Sequence, residues 1–596
     1  MPPPSFSTAA AWPPHSEVNE EGSGVARPVF DMSLRRRAVG AELTAEGVHF
    51  RVWAPDHTSL SVVIEDGPDV ALAREADGHF SALVPDIRAG ARYRFRLGDQ
   101  FFPDPASRYQ PEGPHGPSVV IDPTFAWSEW RRVETKVIYE LHVGTFTQGG
   151  TFAVAAEKLP ELADIGVNVI EVMPVNEFPG TFGWGYDGVD IWAPSHLYGT
   201  PDDMRRFVDT AHTLGLAVIL DVVYNHFGPD GCYLKQFTAD YFTGGKNDWG
   251  ETINFQSPGV REFISENAAY WIDEFHLDGL RLDATQSIDD LTLIGELVRS
   301  ARKAAGDRTL FVVAENEPQD VALIDEQGVD AIWNDDWHHS ATVALTGRRE
   351  AYYTDYGGRP QEFVSMAKHG LLYQGQHYKW QKNPRGTPSL HLGPRHFVAF
   401  VQNHDQVANS ATGERIHRLT SPGRYRAMLA LLLLQPEIPM LFQGQEFGSS
   451  KPFLYFADHK PELAPAVAEG RREFLAQFPS IAGRDVALPH ARETFDACKL
   501  DWDERDESII ELHRTLLRLR SDEPLIGGAV LSDEAFVLRW ANRLLIVNFG
   551  RDLELDIVPE PLLAPPRGER WTLLWSSASP VEIAHVPAEC AALFAT

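Results

Sequence analysis

The chain has 596 residues, 43% hydrophobic and 23% charged, which is the composition of a soluble globular protein too long for one hydrophobic core. Its 53 Lys and Arg against 84 Asp and Glu leave a net charge of −31, a surface that repels nucleic-acid phosphate and anionic lipid. Nucleic acid and membrane are therefore excluded as main partners, whereas a neutral ligand is indifferent to that charge.

Residues 1–28, rich in Pro and Ser, lack the basic start and apolar run of a signal peptide and read as a disordered tail. Cys232, Cys498 and Cys590 lie far apart in no CxxC spacing, so they read as reduced thiols of a cytoplasmic protein. No apolar run reaches the length of a membrane span.

Over 29–125, short alternating runs ("VHFRVWAP", "LSVVIED", "HFSALVP", "ARYRFRL") separated by Gly, Pro and Asp predict a β-sandwich. From 126 to 506 the texture changes to apolar runs alternating with amphipathic stretches: "VIYELHVG", "VNVIEVMPV", "LAVILDVVYNH", "GLRLDA", "LFVVAEN", "DAIWND", "HFVAFVQNHD" and "PMLFQGQEFG". Eight such runs predict an α/β fold, a closed (β/α)8 TIM barrel with loop insertions. Between them lie helix signals such as "TPDDMRRFVDTAHTLG". The last stretch, 507–596, opens on a helical segment and returns to alternating runs, which predicts a C-terminal β-sandwich.

Chemistry in such a barrel gathers at the C-terminal ends of the strands. There the third run carries Asp221 and ends in Asn225 and His226, the fourth carries Arg281 and Asp283, the fifth ends at Glu315, and the seventh ends at His404 and Asp405. Taken singly, each has a structural explanation as an ion pair, loop start or helix cap. Together they supply two carboxyl groups for glycoside hydrolysis, one to attack the anomeric carbon and one to protonate the leaving oxygen. HExxH and P-loop patterns are absent, so no metal and no cofactor are expected. Aromatics near the rim (Trp184, Tyr186, Trp249, Trp333, Trp337, Tyr352, Tyr353, Trp380) divide between core and sugar-stacking surfaces.

"DVVYNH", "GLRLDA", "VVAEN" and "VQNHD" resemble, in order, the four short motifs of the α-amylase clan of retaining glycoside hydrolases. The resemblance implies Asp283 as nucleophile, Glu315 as general acid/base and Asp405 as transition-state stabiliser. It places Tyr186, His226, Arg281 and His404 on the reacting sugar, with Asp221 and Asn225 as structural support. "VHFRVWAP" is similar to the domain before the barrel in branching enzymes, isoamylases and trehalohydrolases. "EVMPVNEFPGTFGWGYDGVD" and "WNDDWHHSATVALTGRREAYYTDY" look most like the trehalohydrolases, which cut the α-1,4 bond next to a terminal trehalose. That implies maltooligosyl trehalose or a related α-glucan as substrate. Leaving-side candidates are then Gln286, Asp335, Asp336, Trp337, Arg349, Glu350, Tyr353, Gln406 and Asn409. The alternatives are a branching or debranching enzyme of the same clan and a catalytically inactive glucan-binding protein.

Overall fold

The computed structural model describes residues 35–130, 134–246, 250–555 and 559–596; the expected tail, residues 29–34 and Trp249 lie outside them. Eight strands close into a barrel: β1 (Ile138–Leu141), β2 (Val169–Val172), β3 (Ala217–Val222), β4 (Gly279–Leu282), β5 (Phe311–Ala314), β6 (Ala331–Trp333), β7 (Phe397–Phe400) and β8 (Ile438–Phe442). All neighbouring pairs are parallel, and each strand is one of the eight apolar runs.

Side chains two apart on a strand share a face, so the inward residues form layers. Ile138, Val169, Ile219, Val313, Trp333, Val398 and Met440 fill the interior. Two residues on from Ile138, Val169 and Ile219, the same inward face carries Glu140, Glu171 and Asp221, with Arg281 in register beside Asp221. The interior thus changes from apolar to charged toward the strand ends. Gly279, which opens "GLRLDA", is required here because a Cβ would lie 1.8 Å from the Phe311 carbonyl oxygen of β5.

Helices cover the barrel. The first to be named, α1 (Pro201–Thr213), starts as its sequence predicts: the Thr200 hydroxyl accepts from Asp203 N and the Asp203 carboxylate accepts from Thr200 N, with Pro at the first helical position. Two others follow strands β6 and β7 directly, α2 (Asp335–Thr346) and the short α3 (His404–Ala408). Past its first turn α4 (Pro422–Leu434) is apolar almost all round, and it is buried from Ala427 to Leu434. After β8 an insertion contributes α5 (Ala464–Leu475) before α6 (Glu507–Leu519) returns to the barrel wall, where Arg514 pairs with Asp164.

Before the barrel, two antiparallel sheets built on Gly47–Trp53 and His79–Pro85, and on Ser61–Ile64 and Arg92–Leu97, face each other over Val48, Phe50, Val62, Phe80 and Phe95. After it, Gly527–Ser532, Ala535–Arg539, Arg543–Asn548, Thr572–Ser576 and Cys590–Ala595 form a five-stranded antiparallel sheet, and a two-stranded one accompanies it. Among the described residues no helix is long and apolar enough to cross a membrane.

Candidate active site

Arg281 organises the floor of the site. Its side chain is fully buried at the end of β4, and its guanidinium serves three carboxyl groups at once. Nη1 donates to both Asp221 oxygens at 2.8 and 2.7 Å and to Asp283 Oδ1 at 2.8 Å; Nη2 donates to Glu315 Oε2 at 2.6 Å. The Trp333 ring lies 4.2 Å from the guanidinium carbon, so that aromatic supports the cation from inside the barrel.

Asp283 is held from its other side by Asn225, whose Nδ2 donates to Asp283 Oδ2 at 2.8 Å and to its carbonyl at 3.1 Å. Ala284, the next residue, takes a left-handed conformation (φ 39°, ψ 52°) that non-glycine residues seldom adopt. This turn directs the Ala284 amide to Glu315 Oε2 at 3.1 Å. Burial, opposed by Arg281 and reinforced by Asp283, raises the Glu315 pKa above the ordinary carboxylate range.

Tyr186 and His404 stand over this floor. Gly185 (φ +99°) allows the approach, since a Cβ there would meet the Pro174 carbonyl oxygen at 2.0 Å. The Tyr186 hydroxyl donates to Asp221 Oδ2 at 2.5 Å and lies 3.0 Å from His404 Nε2, with the two rings stacked. His404 contacts Glu140 through Nδ1 at 2.5 Å and through its backbone amide at 3.0 Å. Burial alone would lower the His404 pKa, but Glu140 and then Asp405 outweigh it and hold the pKa at about 9. The imidazole is a cation at neutral pH, donating from both nitrogens.

Above lies a cleft of about 450 Å3 whose lining includes Trp184, Tyr186, His226, Asp283, Gln286, Glu315, His404, Asp405 and Asn409. The three carboxyl groups expected from the motifs thus meet in one opening, with Asp221, Asn225 and Arg281 beneath them.

The leaving-side expectations fare unevenly. Gln286 and Asn409 line the cleft. Asp335 is partly buried at the start of α2, 3.9 Å from Arg385, and desolvation pushes its pKa up to about 8. Asp336 is withdrawn from any sugar: it is fully buried and accepts from the Tyr356 hydroxyl, Arg385 Nε and the amides of Leu372 and Tyr373. Trp337 is likewise core, packed edge-on against Phe363. Both corrections follow from α2 beginning at Asp335, which turns the next two positions inward.

Gln406 stands behind the cleft, where Oε1 accepts from the hydroxyls of Tyr352 at 3.0 Å and Tyr353 at 2.9 Å. Tyr353 and Glu350, with Gln406, line a second cavity of about 80 Å3 that shares Asn409 with the cleft, and Glu350 is occupied by Ser480. Arg349 lines neither space and donates to the Thr354 carbonyl at 3.1 Å.

Three polar or aromatic cleft residues come from the stretch after β8. Arg471, on α5, donates to the Ala408 carbonyl at 2.8 Å and to Asn409 Oδ1 at 3.2 Å, and lies 5.5 Å from the Tyr455 ring and 5.3 Å from the Phe474 ring. All three line the cleft. Among the described residues, the one group of three acidic or histidine side chains close enough to share a metal ion is Glu75, Asp77 and His79. It lies in the first sandwich, where Arg51 already bridges Glu75 and Asp77.

Known proteins resemble this chain on both levels. Residues 124–250 match the α-amylase catalytic domain, and 525–594 match a domain of unknown function, DUF3459. A malto-oligosyltrehalose trehalohydrolase of Deinococcus radiodurans is 40% identical, covering 85% of this chain and 88% of that protein. Another, from Saccharolobus solfataricus, is 39% identical over 83% of this chain and 89% of its own. A crystal structure described as a putative α-amylase of Salmonella typhimurium superposes with a TM-score of 0.85 at 36% identity, covering 94% of this chain and all of the other. With identity at that level over more than four-fifths of its length, the chain is a glycoside hydrolase and belongs to the malto-oligosyltrehalose trehalohydrolase family.

Proposed function

We propose that the protein hydrolyses the α-1,4-glucosidic bond next to the terminal trehalose of maltooligosyl trehalose, releasing trehalose and a maltooligosaccharide, with Asp283 and Glu315 as the reacting groups. The observation that carries the mechanism is the Arg281 fork, which holds Asp283 on one nitrogen and Glu315 on the other at the floor of the cleft.

Asp283 Oδ2, steadied by Asn225, attacks the anomeric carbon while the bond to the leaving oxygen breaks. Both donors to Glu315 fall on Oε2, so Oε1 carries the proton that passes to the leaving oxygen. Trehalose departs. Glu315, now a carboxylate, takes a proton from water as that water attacks the same carbon, and the ester to Asp283 breaks. Two displacements restore the α configuration. Asp405 stabilises the positive charge on the distorted sugar, Tyr186 stacks beneath that ring, and His404 and His226 hydrogen-bond its hydroxyls.

A site that favours trehalose needs polar groups satisfied only by the second glucose, because an apolar pocket separates similar shapes weakly. Gln286 and Asn409, which line the cleft, are the polar groups that support this reading. Three free cysteines, two of them buried, support a reducing, cytoplasmic location.

The test is a product analysis of maltooligosyl trehalose, a linear maltooligosaccharide and a branched glucan in parallel. Free trehalose should appear, and the trehalosyl substrate should be cleaved much faster than the linear one of equal length. Equal rates, or α-1,6 bonds made or cut, would replace this reading with a broader glucanase or a branching or debranching activity.

A further inference from the structure

We propose that a trough beside the cleft, between residues 112–115 of the first sandwich and the start of α5, binds the distal glucose units of the α-glucan chain. The inference rests on the reading of the cleft given above and adds a second recognition site to it.

The trough measures about 740 Å3 and abuts the cleft at one ion pair. Asp187, which follows Tyr186 and lines the cleft, has its Oδ2 3.6 Å from Nε2 of His459, which lines the trough. α5 borders both spaces: Ala464 faces the trough, while Val467, Arg471 and Phe474 face the cleft. From Ala464 to Phe474 the helix rises about 15 Å, at 1.5 Å per residue, so the two spaces flank a stretch of α5 longer than a single sugar.

The substrate supplies a chain for such a path: trehalose is the leaving group, so each additional glucose extends from the opposite side of the scissile bond.

The lining suits a neutral polyol. His196 is fixed from below by Glu177, which is fully buried: Nδ1 lies 3.0 Å from both carboxylate oxygens, and the His196 amide donates to Glu177 Oε2 at 2.9 Å. The ring is therefore oriented by a group with no part in the cleft, leaving Nε2 to meet a hydroxyl. The hydrogen bond to Glu177 raises the His196 pKa. Lys460, paired with Asp230 at 3.0 Å, lines the same trough. The wall carries acidic Glu112, Asp230 and Asp458 and basic His196, His459 and Lys460 together, which favours hydroxyl groups over an ion of either sign.

The experiment is kcat/KM across maltooligosyl trehaloses of increasing length for the parent enzyme, His196→Gln and Lys460→Ala. In the parent, kcat/KM should rise with each added glucose until the trough is filled. Each variant should lose about five- to tenfold more with the longest substrate than with the shortest, the effect of one hydrogen bond. An unchanged length dependence in both variants overturns the proposal. Lys460 is exposed, so its variant keeps the test open should His196→Gln fail to fold around Glu177. Calorimetry on Glu315→Gln protein separates the two readings. Maltoheptaose should bind more tightly than maltotriose, and Lys460→Ala in that background should weaken only the longer ligand. Equal affinities would remove the trough whatever the enzyme hydrolyses, whereas failure to cleave trehalosyl substrates would remove the cleft reading and leave the binding result standing.

Discussion

Glu140 on the first barrel strand holds His404, 264 residues later in the chain, at two points: one carboxylate oxygen meets the imidazole Nδ1 and the other accepts the backbone amide. This clamp fixes both the charge and the position of the residue immediately before Asp405.

Because the folded-state pKa of His404, about 9, lies above its ordinary 6.5, the clamp contributes stability fully below pH about 6.5 and loses it as pH rises through about 9. The contribution is on the order of 3 kcal/mol for a buried group. In Glu140→Gln this pH dependence should largely flatten between those values. Denaturant titrations of parent and variant from pH 6 to 9.5 measure it; parallel curves would show that Glu140 does not set the charge of His404.

Glu171 should behave in the opposite way. It faces Glu140 across the β1–β2 register, is buried, and neither of its oxygens meets a hydrogen-bond partner. Burial, and next the Glu140 charge, push its pKa well above the carboxylate range, which favours the neutral form. Glu171→Gln preserves shape and charge, and its turnover and stability should stay close to the parent. A loss as large as that of Glu140→Gln would mean that Glu171 is ionised.

Glu315→Gln should lower turnover on maltooligosyl trehalose by about a hundred- to ten-thousandfold, the range for removal of a general acid. Aryl glucosides with good leaving groups, which need little protonation, should recover part of it, and the alkaline fall of kcat/KM should disappear with them. Equal losses for good and poor leaving groups would remove Glu315 from the acid role. NMR of the first-formed sugar should show the α-anomer.

Arg471 braces the end of the helix that carries Asp405, through the Ala408 carbonyl and Asn409. Arg471→Met should lower kcat about tenfold with little change in KM. In an Asp405→Asn background the same change should cost almost nothing, because the two losses travel through one group. Additive losses in the cycle would show that Arg471 acts on substrate independently.

Gln286→Ala should shrink the preference for trehalosyl over linear substrate by about tenfold, as expected when a polar partner is removed from a discriminating site. Glu350→Ala, in the second cavity and bound to Ser480, should leave that ratio intact. A comparison of the two ratios checks the division between cleft and second cavity.

The barrel was legible because parallel strands buried on both faces read as continuous apolar runs. The same contrast made the rim legible, since Asp221, Arg281 and Asp283 interrupt runs that have no packing need for charge. Glu140 gave the same signal in "VIYELHVG", one carboxylate among apolar neighbours, and a search for such interruptions would have found it. Arg471, Tyr455 and Phe474 gave none. They reach the cleft through an insertion whose path depends on tertiary packing, and on the page α5 is an ordinary amphipathic helix. Asp336 and Trp337 misled because adjacent residues after a strand look alike until the helix phase is known.

The guanidinium of Arg281 sees a constant load through the proposed cycle. At rest it holds an ionised Asp283 and a protonated Glu315; in the glycosyl-enzyme it holds an esterified Asp283 and an ionised Glu315. One negative charge hops across a planar cation a few ångströms wide, and the total beneath the sugar stays fixed. The buried floor therefore has no need to admit or expel a counterion between the two halves of the reaction, and the acid of the first half is made into the base of the second by the same fork.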